Sequence, residues 1–371
     1  MSTLENFLKD LEEIVSFDSG TGNVAGVTHA AEIMKTHFES IGFSCQLVDL
    51  GPAVGRGLFA CNKPDADHYD VLMNAHLDTV FPDGTAKARP MTIKGDRAYG
   101  PGVSDCKSGV LAIYYAIKNA DPKDIERLSI AVVLNPDEET SSGYSAEWIN
   151  SIAVKAKRAL IFEAARAGGE LVRSRKGSST YVATFNGSSS HAGNAHYKGA
   201  NANVAAMRFA LAAYGLADPD HNTTVNPGIM KGGSASNVIS DSARIEIDTR
   251  YWTNEDDVAL DEAIFKLAEA TWSPRVTQTL TRTNHISAMP FSENTKELVD
   301  LMTQAAKEEG FDLKWVDAGG ASDGNHIAEI GIPVIDGCGP AGGDFHCDRE
   351  FLRIDTIEER IRMVSRFLHL I

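Results

Sequence analysis

The chain has 371 residues, 43% of them hydrophobic, which is enough to bury a large core and long enough for two domains. Fifty-one acidic against 35 basic side chains give a formal charge of −16, which argues against nucleic acid or an anionic membrane as a partner. No apolar stretch reaches membrane-spanning length.

Residues 1–14 read as an amphipathic helix with Leu4, Phe7, Leu8, Leu11 and Ile14 on one stripe. The segment has no basic start and no apolar h-region, so it does not read as a signal peptide. Five cysteines (Cys45, Cys61, Cys106, Cys338 and Cys347) are odd in number and lack a C-x-x-C pair, so reduced thiols in a cytoplasm are expected. A second helix is expected over 27–41, closed by Gly42, then extended stretches at 43–48 and 57–61 and a buried strand at 71–75 that delivers His76. A helix over 107–119 and strands at 128–134 and 160–162 follow. Strands interleaved with helices predict an α/β domain with a mostly parallel sheet covered on both faces.

Between residues 177 and 283 the pattern changes. Alternating stretches at 181–185, 223–230, 243–251 and 275–283, with helical ones at 204–214 and 255–271, give the order β-α-β-β-α-β of a ferredoxin-like α+β unit. The first style then returns, with helices expected at 295–309, 323–329 and 357–370 and a buried strand at 332–335. The expected organisation is one α/β domain in two segments, 1–176 and 285–371, interrupted by an inserted domain at 177–284.

Chemistry-bearing residues follow the buried runs. His76 ends one, Asp137, Glu138 and Glu139 follow a second, Glu163 follows a third, and His346 follows a fourth across the Gly-rich loop 337–343. Open parallel sheets place ligand sites beyond the carboxyl ends of their strands. Two histidines and three or four carboxylates without convergent cysteines suit two divalent ions such as zinc, cobalt or manganese. If Glu139 binds a metal, its neighbour Glu138 projects differently and can act as a general base. Each part also has an ordinary reading: His76 and Asp78 as a structural pair, Asp105 as the N-cap of the following helix, Glu138 and Glu139 as a solvated loop. No Gly-x-Ser-x-Gly elbow is present, and Gly20-Thr21-Gly22 with Gly26 has the wrong spacing for a dinucleotide loop.

The stretches His76-Leu77-Asp78-Thr79, residues 100–109, Asp137-Glu138-Glu139, Ser190-His191-Ala192-Gly193, Ser236-Asn237-Val238-Ile239 and Ala321-Ser322-Asp323-Gly324 occur in the order seen in the M20 family of co-catalytic zinc peptidases. The likeness covers nearly the whole chain and resembles most the glutamate carboxypeptidase, acetylornithine deacetylase and succinyl-diaminopimelate desuccinylase branch. It implies a zinc-peptidase-like catalytic domain with a ferredoxin-like lid, often the dimerisation surface, and hence a homodimer. By the resemblance, His76 and Glu163 hold one metal ion, Glu139 and His346 the other, and Asp105 bridges them. Asp78 orients His76, Glu138 is the base, and the peptide after Asp105 is cis. His191, contributed by the chain itself or by a partner subunit, donates to the oxyanion. Arg250 grips a free carboxylate, with Asn237, Gly320 and Ser322 as further substrate contacts.

The implied reaction is cleavage of an amide beside a free carboxylate, in a small peptide, as by a glutamate-carboxypeptidase-like exopeptidase. The alternatives are an N-acyl amino acid deacylase of the acetylornithine deacetylase or desuccinylase type, and a non-catalytic metabolite- or peptide-binding protein on the same scaffold. Glu163, where relatives that cleave at a free amine tend to carry Asp, leans toward carboxypeptidase or acylase action. The sequence Asn284-His285-Ile286, where several relatives have Arg-Pro, weakens a specific claim to C-terminal glutamate.

Overall fold

The structure is a computed structural model that describes residues 2–371. In chain order it begins with α1 (Thr3–Val15), α2 (Val24–Ser40), β1 (Ser44–Val48), β2 (Gly57–Cys61), β3 (Val71–His76), α3 (Thr85–Ala88), β4 (Thr92–Lys94) and β5 (Arg97–Tyr99). Next come α4 (Lys107–Asn119), α5 (Pro122–Arg127), β6 (Ile130–Asn135), α6 (Ala146–Ala153), β7 (Ala159–Ile161) and β8 (Leu171–Arg175). The middle of the chain forms β9 (Gly177–Asn186), α7 (Ala202–Tyr214), β10 (Thr224–Gly232), β11 (Ser242–Tyr251), α8 (Asn254–Leu267) and β12 (Thr277–Ile286). The remainder forms α9 (Glu293–Glu308), β13 (Trp315–Ala318), α10 (Asp323–Glu329), β14 (Val334–Ile335), β15 (Gly342–Gly343), β16 (Phe351–Arg353) and α11 (Asp355–Leu370). Two compact units result: the chain up to Ser174 with Phe291–Asp317 and Ser322–Ile371, and Arg175–Pro290 with Ala318–Ala321.

The first unit is α/β. Its main sheet has the order β1-β2-β6-β3-β7-β14; β6, β3, β7 and β14 run parallel, while β2 is antiparallel to both β1 and β6. Every residue of β3 and β6 is buried, as near-continuous apolar runs in a covered parallel sheet must be. Their two asparagines are paired inside the sheet, Asn74 Nδ2 donating to Val133 O and to Asn135 Oδ1 at 3.1 Å each. Helices α1, α4, α9 and α11 supply fully buried Phe7, Leu11, Leu111, Met302 and Phe367 to the core.

Element ends follow capping rather than the apolar stripe. α1 opens at Ser2 with a reciprocal capping box to Glu5, so the expected helix over 1–14 starts later; Met1 itself lies outside the described residues. α2 begins at Val24, ahead of the expected 27, because Asn23 Oδ1 accepts from Gly26 N at 2.8 Å. α8 stops at Leu267 instead of 271, where the Trp272 indole donates to the freed Leu267 carbonyl at 2.9 Å. The ordinary N-cap reading of Asp105 fails: the cap position of α4 is Cys106, with no side-chain cap bond. Strands β4, β5, β15 and β16, of two or three residues each, form a separate small sheet in the order β15-β16-β5-β4; such short strands carry no readable period.

The second unit is an antiparallel sheet in the order β10-β11-β9-β12 with α7 and α8, the ferredoxin-like arrangement. Buried and half-exposed residues alternate strictly along β11, so one face meets the helices. Tyr181, Phe185, Phe209, Ile245 and Ile247 form its core.

Candidate metal centre

Because β6, β3, β7 and β14 are parallel, their carboxyl ends open on one edge. His76 is the last residue of β3, Asp137-Glu138-Glu139 follow β6, and Glu163 lies two residues past β7. His346 sits in the turn after β15 with φ 60°, left-handed like Asp344 at 54°. Asp105 stands in the turn before α4, and the Asp105–Cys106 peptide is cis. The start of α4 lies against the end of β7 because Gly109 lacks a side chain; a Cβ there would sit 1.9 Å from the Phe162 carbonyl oxygen.

These residues converge within the first unit. Asp105 presents one carboxylate oxygen to each histidine, Oδ1 3.0 Å from His76 Nε2 and Oδ2 3.2 Å from His346 Nε2. Glu163 Oε1 lies 3.5 Å from His76 Nε2, and Glu139 Oε2 lies 3.3 Å from His346 Nε2. The result is two imidazole–carboxylate pairs joined through Asp105. Glu138 makes no hydrogen bond or ion pair with either histidine, although its half-buried carboxyl group feels the charges of Glu163, His76, Asp323 and Glu139. Donor atoms of His76, Asp105 and Glu139 lie within 4.8 Å of one another, and so do those of His76, Cys106 and Glu163.

Neighbouring residues hold this arrangement in register. His76 Nδ1 faces the Asp78 backbone carbonyl at 3.0 Å and the Asp78 carboxylate at 3.3 Å, which leaves Nε2 toward the centre. The Asp78 carboxylate does a second job, accepting from the backbone N–H groups of Glu138 and Glu139 at 3.2 Å each and from Thr21 Oγ1 at 2.6 Å. Glu350 does the same for the Asp105 turn: its buried carboxylate accepts from Gly102 N, Ser104 N and Asp105 N at 2.9–3.0 Å. Under the Glu138 turn, Asp137 accepts from Tyr144 N at 2.7 Å and from Ser145, and Ser142 donates to Asp323. Glu350, Cys106 and Asp323 were not singled out from the sequence as parts of this site. Cys106 and Asp323 stand inside the stretches quoted above, beside Asp105 and Ser322, whereas nothing adjacent to Glu350 marks it and its partners lie about 245 residues back.

Charge is out of balance here. Burial works against a charged His76, yet the Glu163, Asp105 and Asp78 carboxylates hold its imidazole well above the ordinary histidine value. Asp105 and Glu139 together raise His346 to about 10. Despite burial, hydrogen bonds from both histidines hold Asp105 well below the usual carboxylate range. Burial and then the Glu163 charge push Glu138 well up; burial also raises Glu139 and Glu163 against the pull of the histidines. Glu163 Oε1 is buried with no hydrogen-bond partner among the described residues. A crowd of carboxylates around two imidazoles, with an orphaned buried oxygen, is a donor set that divalent cations of borderline hardness would neutralise and satisfy.

The remaining predicted residues lie in or beside the second unit. His191 is exposed, and its Nδ1 accepts from Gly193 N at 3.2 Å and Asn194 N at 3.1 Å. Two N–H donors at Nδ1 place the proton on Nε2, which is therefore a donor. Asn237 is close by, since its carbonyl accepts from Ala192 N at 2.9 Å. Arg250 uses its fork on Asp248, at 2.9 and 3.0 Å. The Gly320 carbonyl accepts from Arg175 Nη1 at 2.9 Å. Ser322 departs from its expected use as a substrate contact: it is the buried N-cap of α10, accepting from Gly324 N at 3.1 Å and donating to Asp336 Oδ2 at 2.5 Å.

Residues 72–370 match Peptidase family M20/M25/M40. Carboxypeptidase G2 of Pseudomonas sp. (strain RS-16) is 31% identical over 366 residues, covering 97% of this chain and 88% of that protein. Succinyl-diaminopimelate desuccinylase of Variovorax paradoxus (strain S110) is 28% identical over 388 residues, covering 96% of each. Among solved structures, the aminopeptidase PepT of Bacillus cereus ATCC 10987 superposes with a TM-score of 0.81 at 22% identity, over 99% of this chain and 98% of that one, a likeness of fold. With a family match across most of its length and a relative above 30% identity, the chain belongs to Peptidase family M20/M25/M40 and is a metal-dependent hydrolase.

Proposed function

We propose that this hydrolase is an exopeptidase that cleaves an amide bond next to a free carboxylate, in the manner of a glutamate carboxypeptidase. The observation that carries the reading is the Glu139–His346–Asp105–His76–Glu163 chain of donors with Glu138 left outside it. Likeness to carboxypeptidase G2 supports the substrate class; likeness to a desuccinylase supports a second reading, deacylation of an N-acyl amino acid.

His76 and Glu163 would hold one divalent ion, Glu139 and His346 the other, and Asp105 both; zinc suits the set, with cobalt or manganese as substitutes. When bound, such ions lower the pKa of water and polarise a carbonyl. Glu138 accepts the proton of the water as its oxygen bonds to the amide carbon, then gives that proton to the leaving nitrogen as the C–N bond breaks, releasing an acid and an amine. The Nε2–H of His191 is assigned to the oxyanion. Arg250 is assigned to the substrate's free carboxylate, for which its guanidinium would exchange Asp248, a half-exposed pair of small worth. Asn237 and Gly320 are assigned as further contacts. The five free cysteines favour a cytoplasmic setting, and no helix among the described residues is long and apolar enough to cross a membrane.

The test is a panel of C-terminal glutamyl, aspartyl and neutral dipeptides and N-acyl amino acids, run with zinc, cobalt or manganese. Cleavage is expected only with a free α-carboxylate beside the scissile amide, and Arg250→Ala should raise KM at least about tenfold, a loss of about 1.4 kcal/mol. Equal cleavage of carboxyl-amidated substrates would defeat the assignment.

We also propose a homodimer through the second unit. β10 is an edge strand with exposed Ile229 and Met230, and α7 exposes Met207, Tyr214 and Leu211, the last 73% exposed. Leu211→Asp should shift the protein to monomer in sedimentation analysis without lowering its melting temperature. An unchanged dimer would place the interface elsewhere.

A further inference from the structure

The small sheet β15-β16-β5-β4 sorts its side chains into rows. Lys94 stands directly opposite Arg97, and Arg97 directly opposite Arg353. Two residues along, Thr92, Tyr99 and Phe351 make the neighbouring row on the same face. The row between points the other way; its Ala98 and Leu352 are fully buried, and Ile93 on the edge strand is exposed. The cationic and aromatic rows share the opposite face, open at Thr92, Lys94 and Arg97 and closed over at Phe351, where a cavity of about 540 Å³ is bounded by Lys94, Arg97, Tyr99 and Phe351 and by Arg89 and Arg349.

Like charges directly opposite each other destabilise a sheet, and a chain of formal charge −16 does not lack acids to pair them. Arg353 is paired, with Asp355, and Arg349 lies 3.7 and 3.6 Å from Asp344 and Asp348. Arg89, Lys94 and Arg97 have no carboxylate within 4.0 Å among the described residues, although Arg89 Nη1 donates to the Cys347 carbonyl at 3.4 Å. Arg97 instead lies 4.1 Å from the Phe351 ring centroid, Lys94 5.8 Å from that of Tyr99, and Arg89 4.7 Å from that of Phe81. A ring under a cation fixes its position while leaving N–H donors free for an anion.

We propose that this cavity binds a small polyanion, a molecule with two or more carboxylate, phosphate or sulfonate groups, through Arg89, Lys94 and Arg97 above a floor of Tyr99 and Phe351. One anionic group would leave part of the charge of three cations without a carboxylate partner uncompensated; several would offset it. The size is that of a small-molecule pocket. Asp344 and Asp348, also on its wall, flank His346, so an occupant touches the turn that presents this histidine. The polyanion is either the distal end of a substrate or a free effector.

The experiment titrates the metal-loaded full chain with naphthalene-1,3,6-trisulfonate, a weakly chelating trianion, by calorimetry. Binding is expected, weakened by added salt and weakened about tenfold or more by Arg97→Ala. Lys94→Gln with Arg97→Ala should weaken it further, and Lys35→Ala, on α2 and not among the residues that bound the cavity, should not. A wild type that does not bind, or a double variant that binds equally while melting like the wild type, overturns the proposal. Against any hydrolysed substrate, a rise in KM alone identifies the substrate's distal end, and a change in kcat at saturation identifies an effector. The calorimetric arm needs no turnover, so its failure is separate from failure of the proposed reaction.

Discussion

Glu138→Gln should lower kcat by about three orders of magnitude, the middle of the range for a general acid–base, while the protein keeps its fold and its bound ions. The reason is the separation of neighbours: Glu139 faces His346 at 3.3 Å, whereas Glu138 makes no hydrogen bond or ion pair with either histidine. Both backbone N–H groups are held by the Asp78 carboxylate, so the turn keeps its shape when the Glu138 side chain changes. Glutamine preserves volume and removes the ability to take and return a proton. The check is kcat on the best substrate of the panel, with metal content by mass spectrometry and a thermal melt. A variant within about tenfold of wild type would remove Glu138 from the role of base.

Asp105→Ala should abolish activity and strip most of the bound metal. Asp105 is the one side chain whose two oxygens face both histidines, at 3.0 and 3.2 Å, so its loss removes a donor from each half of the centre together. It also leaves buried His76 Nε2 without its nearest acceptor, and removing one member of a buried ionic pair costs about 3–5 kcal/mol when the other has no substitute. Glu163 at 3.5 Å is a partial substitute, so the protein should fold with a lowered melting temperature. Metal analysis after dialysis reads the result, since metal affinity is also folding free energy. Retention of wild-type metal content would refute the bridging role.

The central sheet and much of the centre were legible because three of the candidate stretches end or follow a buried apolar run: His76 closes β3, Asp137-Glu138-Glu139 follow β6 and Glu163 follows β7, whereas Asp105 and His346 stand in turns. The alternation of β9, β11 and β12 likewise announced the antiparallel unit. Glu350 was not legible. It reads as one more charge between Arg349 and Phe351, and only packing brings it to Gly102, Ser104 and Asp105, about 245 residues back in the chain. Ser322 is the complementary case, a motif serine whose side chain the fold uses as a helix cap.

The sequence by itself determined which residues could form a metal centre and on which kinds of element they would stand, because hydrophobic period and burial are local properties written along each segment. Tertiary structure alone decided which carboxylate faces which imidazole, that Asp105 divides its oxygens between His76 and His346, that Glu138 is left over, and that Lys94, Arg97 and Arg353 fall into one row. Each of these depends on register and on contacts such as that of His346 with Asp105, 241 residues apart, which only the packing of a closed core can set.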